Sequence, residues 1–109
     1  MIIKDKISKE DLEKLFEDFY VDMLKLVVDI EKEILSAGCE YHIDCAEDLT
    51  NHGSKVENLW GANLYKKNWG IDFVSLINIK PEKNNREIEV KDKEIRDKME
   101  KIIKNLLCN

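Results

Sequence analysis

Glutamine is absent from the 109 residues, proline occurs once and glycine four times. So few breaker residues exclude a collagen-like, Pro-rich or low-complexity chain. Cysteine occurs three times, at Cys39, Cys45 and Cys108. An odd number without dense spacing argues against a disulfide framework, and reduced thiols are expected. Long apolar runs are missing too. The richest stretch, Leu24 to Ile30, is interrupted by Lys25 and Asp29, far short of a membrane span. No basic stripe appears either. The net charge is −5 with the signs interspersed, so neither a nucleic-acid nor a membrane partner is expected. There is no Gly-rich phosphate loop, nucleophile elbow or metalloprotease helix motif.

What is present is globular. Apolar residues make up 43% and charged residues 38%, with Lys and Glu dominant as in thermophile proteins. Residues 1–109 fit a single α+β domain with material for one core. The opening Met1-Ile2-Ile3-Lys4-Asp5 carries no secretory leader pattern, so a soluble cytoplasmic protein is expected.

The periodicities predict an order (β)αβββα. Ile2-Ile3 suits a short edge strand. Ser8 suits a helix N-cap, with Asp11 three residues on. From Leu12 to Ile34 apolar residues recur at helical spacing, and Gly38 suits the C-cap. That predicts a helix of roughly 28 residues, near 40 Å long. Glu40 to Cys45 alternates like a half-buried strand. Leu59 to Tyr65 reads as a second strand and Phe73 to Lys80 as a third. Asp92 then caps a last helix with Ile95, Met99, Ile102, Ile103 and Leu106 on one stripe. Glu94–Lys98, Asp97–Lys101 and Glu100–Lys104 are i,i+4 pairs. The expected architecture is an antiparallel sheet of three to four strands with both helices on one face.

Strand parity then selects candidate site residues. If Trp60, Ala62 and Leu64 face the helices, then His42, Asp44, Asn63, Tyr65 and Asn78 gather on the opposite, open face. Imidazole, carboxylate and amides together suit a small polar ligand. The alternative is the ordinary polar outer face of an antiparallel sheet. His42-x-Asp44 places both groups on one side of a strand, where the carboxylate can orient the imidazole as a base. With Glu47 added, His42 and Asp44 form a candidate set for a divalent metal, although nothing in the sequence requires a cofactor. Cys39, His42, Cys45 and His52 resemble a zinc set, but on a strand residues 39 and 45 face away from 42. Cys39 and Cys45 then read as small apolar core residues. Asp18, Asp22, Asp29 and Glu33 fall along one edge of the predicted long helix. Trp60 reads as core and Trp69 as a surface anchor for a partner.

Several runs resemble a small prokaryotic family, bacterial and archaeal, catalogued as a domain of unknown function. They are Ile2-Ile3-Lys4-Asp5-Lys6-Ile7-Ser8, Val27-Val28-Asp29-Ile30-Glu31, Glu40-Tyr41-His42-Ile43-Asp44, Leu59-Trp60-Gly61-Ala62-Asn63-Leu64-Tyr65 and Ser75-Leu76-Ile77-Asn78-Ile79-Lys80-Pro81. Leu-Trp-Gly-x-Asn-Leu-Tyr is the most specific of them. The resemblance implies a stand-alone domain whose pattern includes His42, Asp44, Asn63 and Asn78, with small residues at positions 39 and 45. It implies no activity or substrate. The expected function is a binding or interaction domain that self-associates as a homodimer. The alternative is a metal-assisted hydrolase or a metal- or small-ligand-binding protein built on the same face.

Overall fold

Ser8 does cap the first helix: its Oγ accepts from the Asp11 backbone N–H at 3.0 Å. A computed structural model describes residues 1–108. After strand β1 (Ile2–Ile3), helix α1 covers only Lys9–Asp18. The long helix is therefore a correction. Its second half is a hairpin, β2 (Met23–Asp29) and β3 (Ile34–Ala37). β2 and β3 are covered on both faces, so apolar side chains occupy successive positions and no alternation marks them as strands. The buried Asp29 closes the hairpin. Its Oδ1 accepts from the Glu31 and Lys32 N–H groups, both at 3.0 Å, and its Oδ2 accepts from Ser54 Oγ at 2.6 Å. The supposed carboxylate edge of Asp18, Asp22, Asp29 and Glu33 disappears with the helix. Gly38, at φ 78°, turns the chain after β3, where a Cβ would come within 2.8 Å of Leu15 Cδ2.

The next correction is helical where a strand was expected. Helix α2 runs over His42–Asn51 and buries Cys45, Ala46 and Leu49 along one face. In an extended segment the Cα atoms of Cys39 and Cys45 would stand roughly 20 Å apart. Because the chain coils at residue 42, they are 5.8 Å apart and joined as a disulfide, not held as free thiols. Both sulfurs lie in the core under α2, so their apolar reading stands while their expected reduced state does not.

β4 (Leu59–Tyr65) forms as expected. The third strand expected over Phe73 to Lys80 does not form: β5 is Ile71–Asp72, just before it, and the expected range keeps only isolated bridges, Val74 to Glu89 and Lys80 to Asn85. Leu76–Asn78 is instead a 3-10 turn, with Ser75 Oγ accepting from the Ile77 N–H at 3.3 Å. Helix α3 (Lys93–Leu107) starts at Asp92, which accepts from the Glu94 N–H at 2.8 Å. Of the expected pairs Glu100–Lys104 forms at 2.9 Å, while Asp97 takes Lys93 at 2.8 Å in place of Lys101. At these exposures such pairs are worth a few tenths of a kcal/mol.

The strands form one antiparallel sheet of five, in the order β1-β3-β2-β4-β5. The protein is α+β as expected, and the two expected helices share a face, but an unexpected third helix, α2, packs on the other. α1 and α3 cover one side, burying Phe16, Leu26, Trp60, Met99 and Ile103. α2 covers the other with Val27, Ile34, Leu49 and Leu59. Each fully buried side chain of this kind contributes about 1.5–3 kcal/mol. Trp60 is core, as read from the sequence. No helix among the described residues is long and apolar enough to cross a membrane.

Candidate functional site

The parity of β4 positions the site. Trp60, Ala62 and Leu64 point into the α1–α3 core, so Gly61, Asn63 and Tyr65 project toward the α2 side. β5 brings Asp72 opposite Asn63. Asn63 Nδ2 donates to Asp72 Oδ1 at 2.8 Å and to the Val74 carbonyl at 3.3 Å. Tyr65 Oη donates to Asp72 Oδ2 at 2.5 Å. That hydrogen bond, helped by burial, raises the Tyr65 hydroxyl above the ordinary phenol range. On the other flank β2 places Lys25 directly across from Asn63. The Lys25 ammonium stands 5.4 Å from the centre of the Tyr20 ring. Among the described residues no carboxylate lies within ion-pair distance of it.

His42 arrives from above, as the first residue of α2. Its Nε2 lies 2.9 Å from the Ala62 carbonyl, an acceptor only, so Nε2 carries the proton and Nδ1 is the free ring nitrogen. Burial pushes the imidazole below its ordinary value. The Ala62 carbonyl opposes this, Lys25 reinforces it, and Asn63 and Asp72 oppose it more weakly. The folded protein therefore binds this proton less readily than the unfolded chain does. Stability is expected to rise with pH from the lowered folded value up to the ordinary 6.5, and to lack this contribution at more acid pH. Urea unfolding of wild type and His42→Gln between about pH 4.5 and 7.5 checks this, since the variant lacks that slope.

Lys25, Tyr41, His42, Asn63, Leu76 and Ile88 line a groove of about 420 Å³ here. His42, Asn63 and Tyr65 are thus brought to one side of the sheet, Tyr65 through Asp72. Asp44 is not. On a helix, residues two apart point about 200° from each other, and the exposed Asp44 turns back to accept from the Tyr41 N–H at 3.2 Å. The expected His–Asp pair is replaced by a helix cap. Glu47, one turn on, is exposed and lines a different groove. His42, Asp44 and Glu47 do not converge, and among the described residues no three His, Cys, Asp or Glu side chains stand where they would hold a metal ion. The zinc reading falls with the Cys39–Cys45 bond.

Asn78 is a fastener, not a ligand group. Fully buried, it accepts from the Gly61 N–H at 2.7 Å and shares its two Nδ2 hydrogens among the carbonyls of Gly61, Phe73 and Ile88 at 3.0–3.2 Å. It thereby continues the edge of β4 beyond β5.

Sequence reasoning missed Lys25, Asp72 and Lys80. Lys25 interrupts an apolar run, which is the signal of a cation kept on a strand. Lys80 is 4% exposed, donates to the Val56 carbonyl at 3.1 Å and lies 5.3 Å from the centre of the Trp60 ring. Burial lowers its ammonium below the ordinary lysine range. Lys80 borders a second groove of about 380 Å³ with Ile43, Glu47, Val56, Ile77 and Ile79. Trp69, half-exposed, meets Phe16 edge-on at 6.0 Å beside a groove between α1 and α3.

Residues 1–106 match a family described as "Protein of unknown function (DUF5674)". No curated protein and no solved structure matches the chain.

Proposed function

For a chain that belongs to the DUF5674 family of proteins of unknown function, we propose a role as a binding domain that pairs with a second copy of itself through the α2 side of the sheet. The observation that carries this reading is where the exposed apolar side chains lie. Tyr41, Ile43, Val56, Leu76, Ile79 and Ile88 all border the two adjoining grooves, with Val56 65% and Leu76 78% exposed. Scattered apolar residues need no explanation, but a contiguous set around concave surface is the mark of a contact site.

The shape favours a like partner. Ile43 and Ile77 line both grooves and so form a ridge between them. In a two-fold contact the ridge of each copy enters the Val56–Ile79 groove of the other, and the same patch serves both sides. Disengaged, this ridge would keep apolar area in water at about 25 cal/mol per Å².

Light scattering over a concentration series is expected to show a dimer at tens of micromolar. Val56→Asp, which puts a carboxylate into the contact, is expected to weaken the dimer by about thirtyfold or more. Wild type that stays monomeric to high micromolar concentration removes the proposal.

A further inference from the structure

The other groove has a different character. It is as apolar overall as the Val56–Ile79 groove, but Lys25, His42 and Asn63 line it and part of their hydrogen-bonding capacity is free. Lys25 is a cation without a carboxylate partner among the described residues. α2 opens onto the groove through Tyr41, His42 and Ile43. The His42 and Ile43 N–H groups have no hydrogen-bond acceptor among the described residues. Together these give one full positive charge and two open N–H groups at the start of a ten-residue helix whose N-cap N–H is already held by Asp44.

Two acceptors belong to residues that line this groove. Asn63 is 7% exposed, and with its Nδ2 committed to Asp72 and Val74 its Oδ1 is buried without a partner. His42 has its Nε2–H on the Ala62 carbonyl, which leaves Nδ1 as an acceptor. Neither atom is satisfied by an anion. Both call for a donor. Tyr41, Leu76 and Ile88 supply apolar walls.

We propose that this groove binds a small organic monocarboxylate that also carries a hydroxyl or ammonium donor and an apolar substituent, of the 2-hydroxy-acid or 2-amino-acid class. The carboxylate would sit between Lys25 and the first N–H groups of α2. The donor would reach Asn63 Oδ1 and His42 Nδ1, with the substituent against Tyr41, Leu76 and Ile88. A single lysine suits one negative charge better than the two of a phosphate monoester.

The test is an amide and imidazole NMR titration with three probes: 2-hydroxy-4-methylpentanoate, 4-methylpentanoate and inorganic phosphate. The hydroxy acid is expected to shift the signals of His42, Ile43 and Asn63. It should bind roughly tenfold more tightly than the acid lacking the hydroxyl. Lys25→Gln is expected to weaken it by roughly tenfold, and Lys25→Arg to retain most of the affinity. Thermal unfolding of both variants verifies the fold. No saturable shift with the hydroxy acid, equal affinity for the two acids, tighter binding of phosphate, or indifference to Lys25→Gln each overturns the proposal. Tyr41, Leu76 and Ile88 also border the proposed dimer contact, so the titration is repeated on Val56→Asp, whose substitution lies outside this groove; saturable binding of the hydroxy acid there supports the site whether or not the chain dimerises, and its absence there overturns it.

Discussion

Asn78→Ala is expected to lower the unfolding free energy by about 3 kcal/mol or more, the largest loss from any single polar side chain in the protein. The methyl group would leave the Gly61 N–H and the carbonyls of Gly61, Phe73 and Ile88 without the partner that serves them all. The Phe73 and Ile88 carbonyls keep the Val90 and Ser75 N–H groups, so the loss falls chiefly on the Gly61 N–H and carbonyl. β5 ends at Asp72, and beyond that point this side chain takes over the outer edge of β4 at Gly61. A ladder of backbone bonds would tolerate loss of one rung, but an amide doing the work of a strand has no neighbour to share it. For a chain of this length the loss corresponds to a fall in Tm on the order of 10–20 °C. Urea unfolding monitored by tryptophan fluorescence measures it, with an unchanged denaturant slope showing that the effect lies in the native state. Asn78→Asp is expected to be worse at neutral pH, because a carboxylate accepts from Gly61 but faces three carbonyls with no donor. A loss below about 1 kcal/mol for Asn78→Ala would mean that water replaces the amide and that the fastener reading is wrong.

Asn78 also shows what the sequence could and could not disclose. Two asparagines inside expected strands are an anomaly in the sequence itself, since Asn is depleted there. At Asn63 the strand is real and the amide pairs across it to Asp72. At Asn78 the anomaly marked a break, and the apolar run from Phe73 coils into a 3-10 turn around the buried amide. Leu59–Tyr65 was legible because Trp60 and Gly61, then Ala62 and Asn63, differ in character on its two faces. α3 was legible because its polar and apolar stripes are separated and Asp92 announces its start. The hairpin β2–β3 was not. Both its faces are buried, so successive apolar positions fit a helical template as well as a strand. Its turn lacks Gly, Pro or Asn and is held by Asp29 with Glu33 in the left-handed region at φ 58°. Asp at the start of a turn was the one local sign.

The candidate site was half legible for the same reason. Placement of Asn63 and Tyr65 rests on β4 parity, which is a local pattern. Placement of His42 rests on α2, whose N-cap is Tyr41, a residue with no short acceptor to announce a helix start. Six alternating residues from Glu40 onward fitted a strand equally well. Read as a helix, the segment separates His42 from Asp44 and brings Cys45 back over Cys39. The lone cation Lys25 and the carboxylate Asp72 enter the site only through strand pairing, and no local pattern carries that information.

Gly61→Ala tests the close approach on which this site is built. A Cβ at position 61 would lie 2.5 Å from Ser75 Cβ and 2.7 Å from Ser75 Oγ, with His42 Cδ2 at 3.3 Å. The first two distances are well inside contact, and Ser75 cannot rotate its Cβ away because that atom is fixed by its backbone. Its backbone is in turn tied to Ile88, whose carbonyl accepts the Ser75 N–H at 3.0 Å. The 3-10 turn must therefore shift outward, lengthening the Asn78 bonds to Gly61 and pressing on the imidazole. Overpacking of this kind costs about 1–3 kcal/mol. Ser75→Gly removes both contacting atoms, at the cost of the small cap to Ile77, and by itself is expected to lose about 1 kcal/mol. The double variant is expected to be more stable than the sum of the two single losses predicts, by about 1 kcal/mol or more. The coupling should also appear in His42, whose imidazole signals shift in Gly61→Ala and return toward their wild-type positions in the double variant. Additive losses together with an undisturbed imidazole would show that Ser75 does not define the wall behind His42.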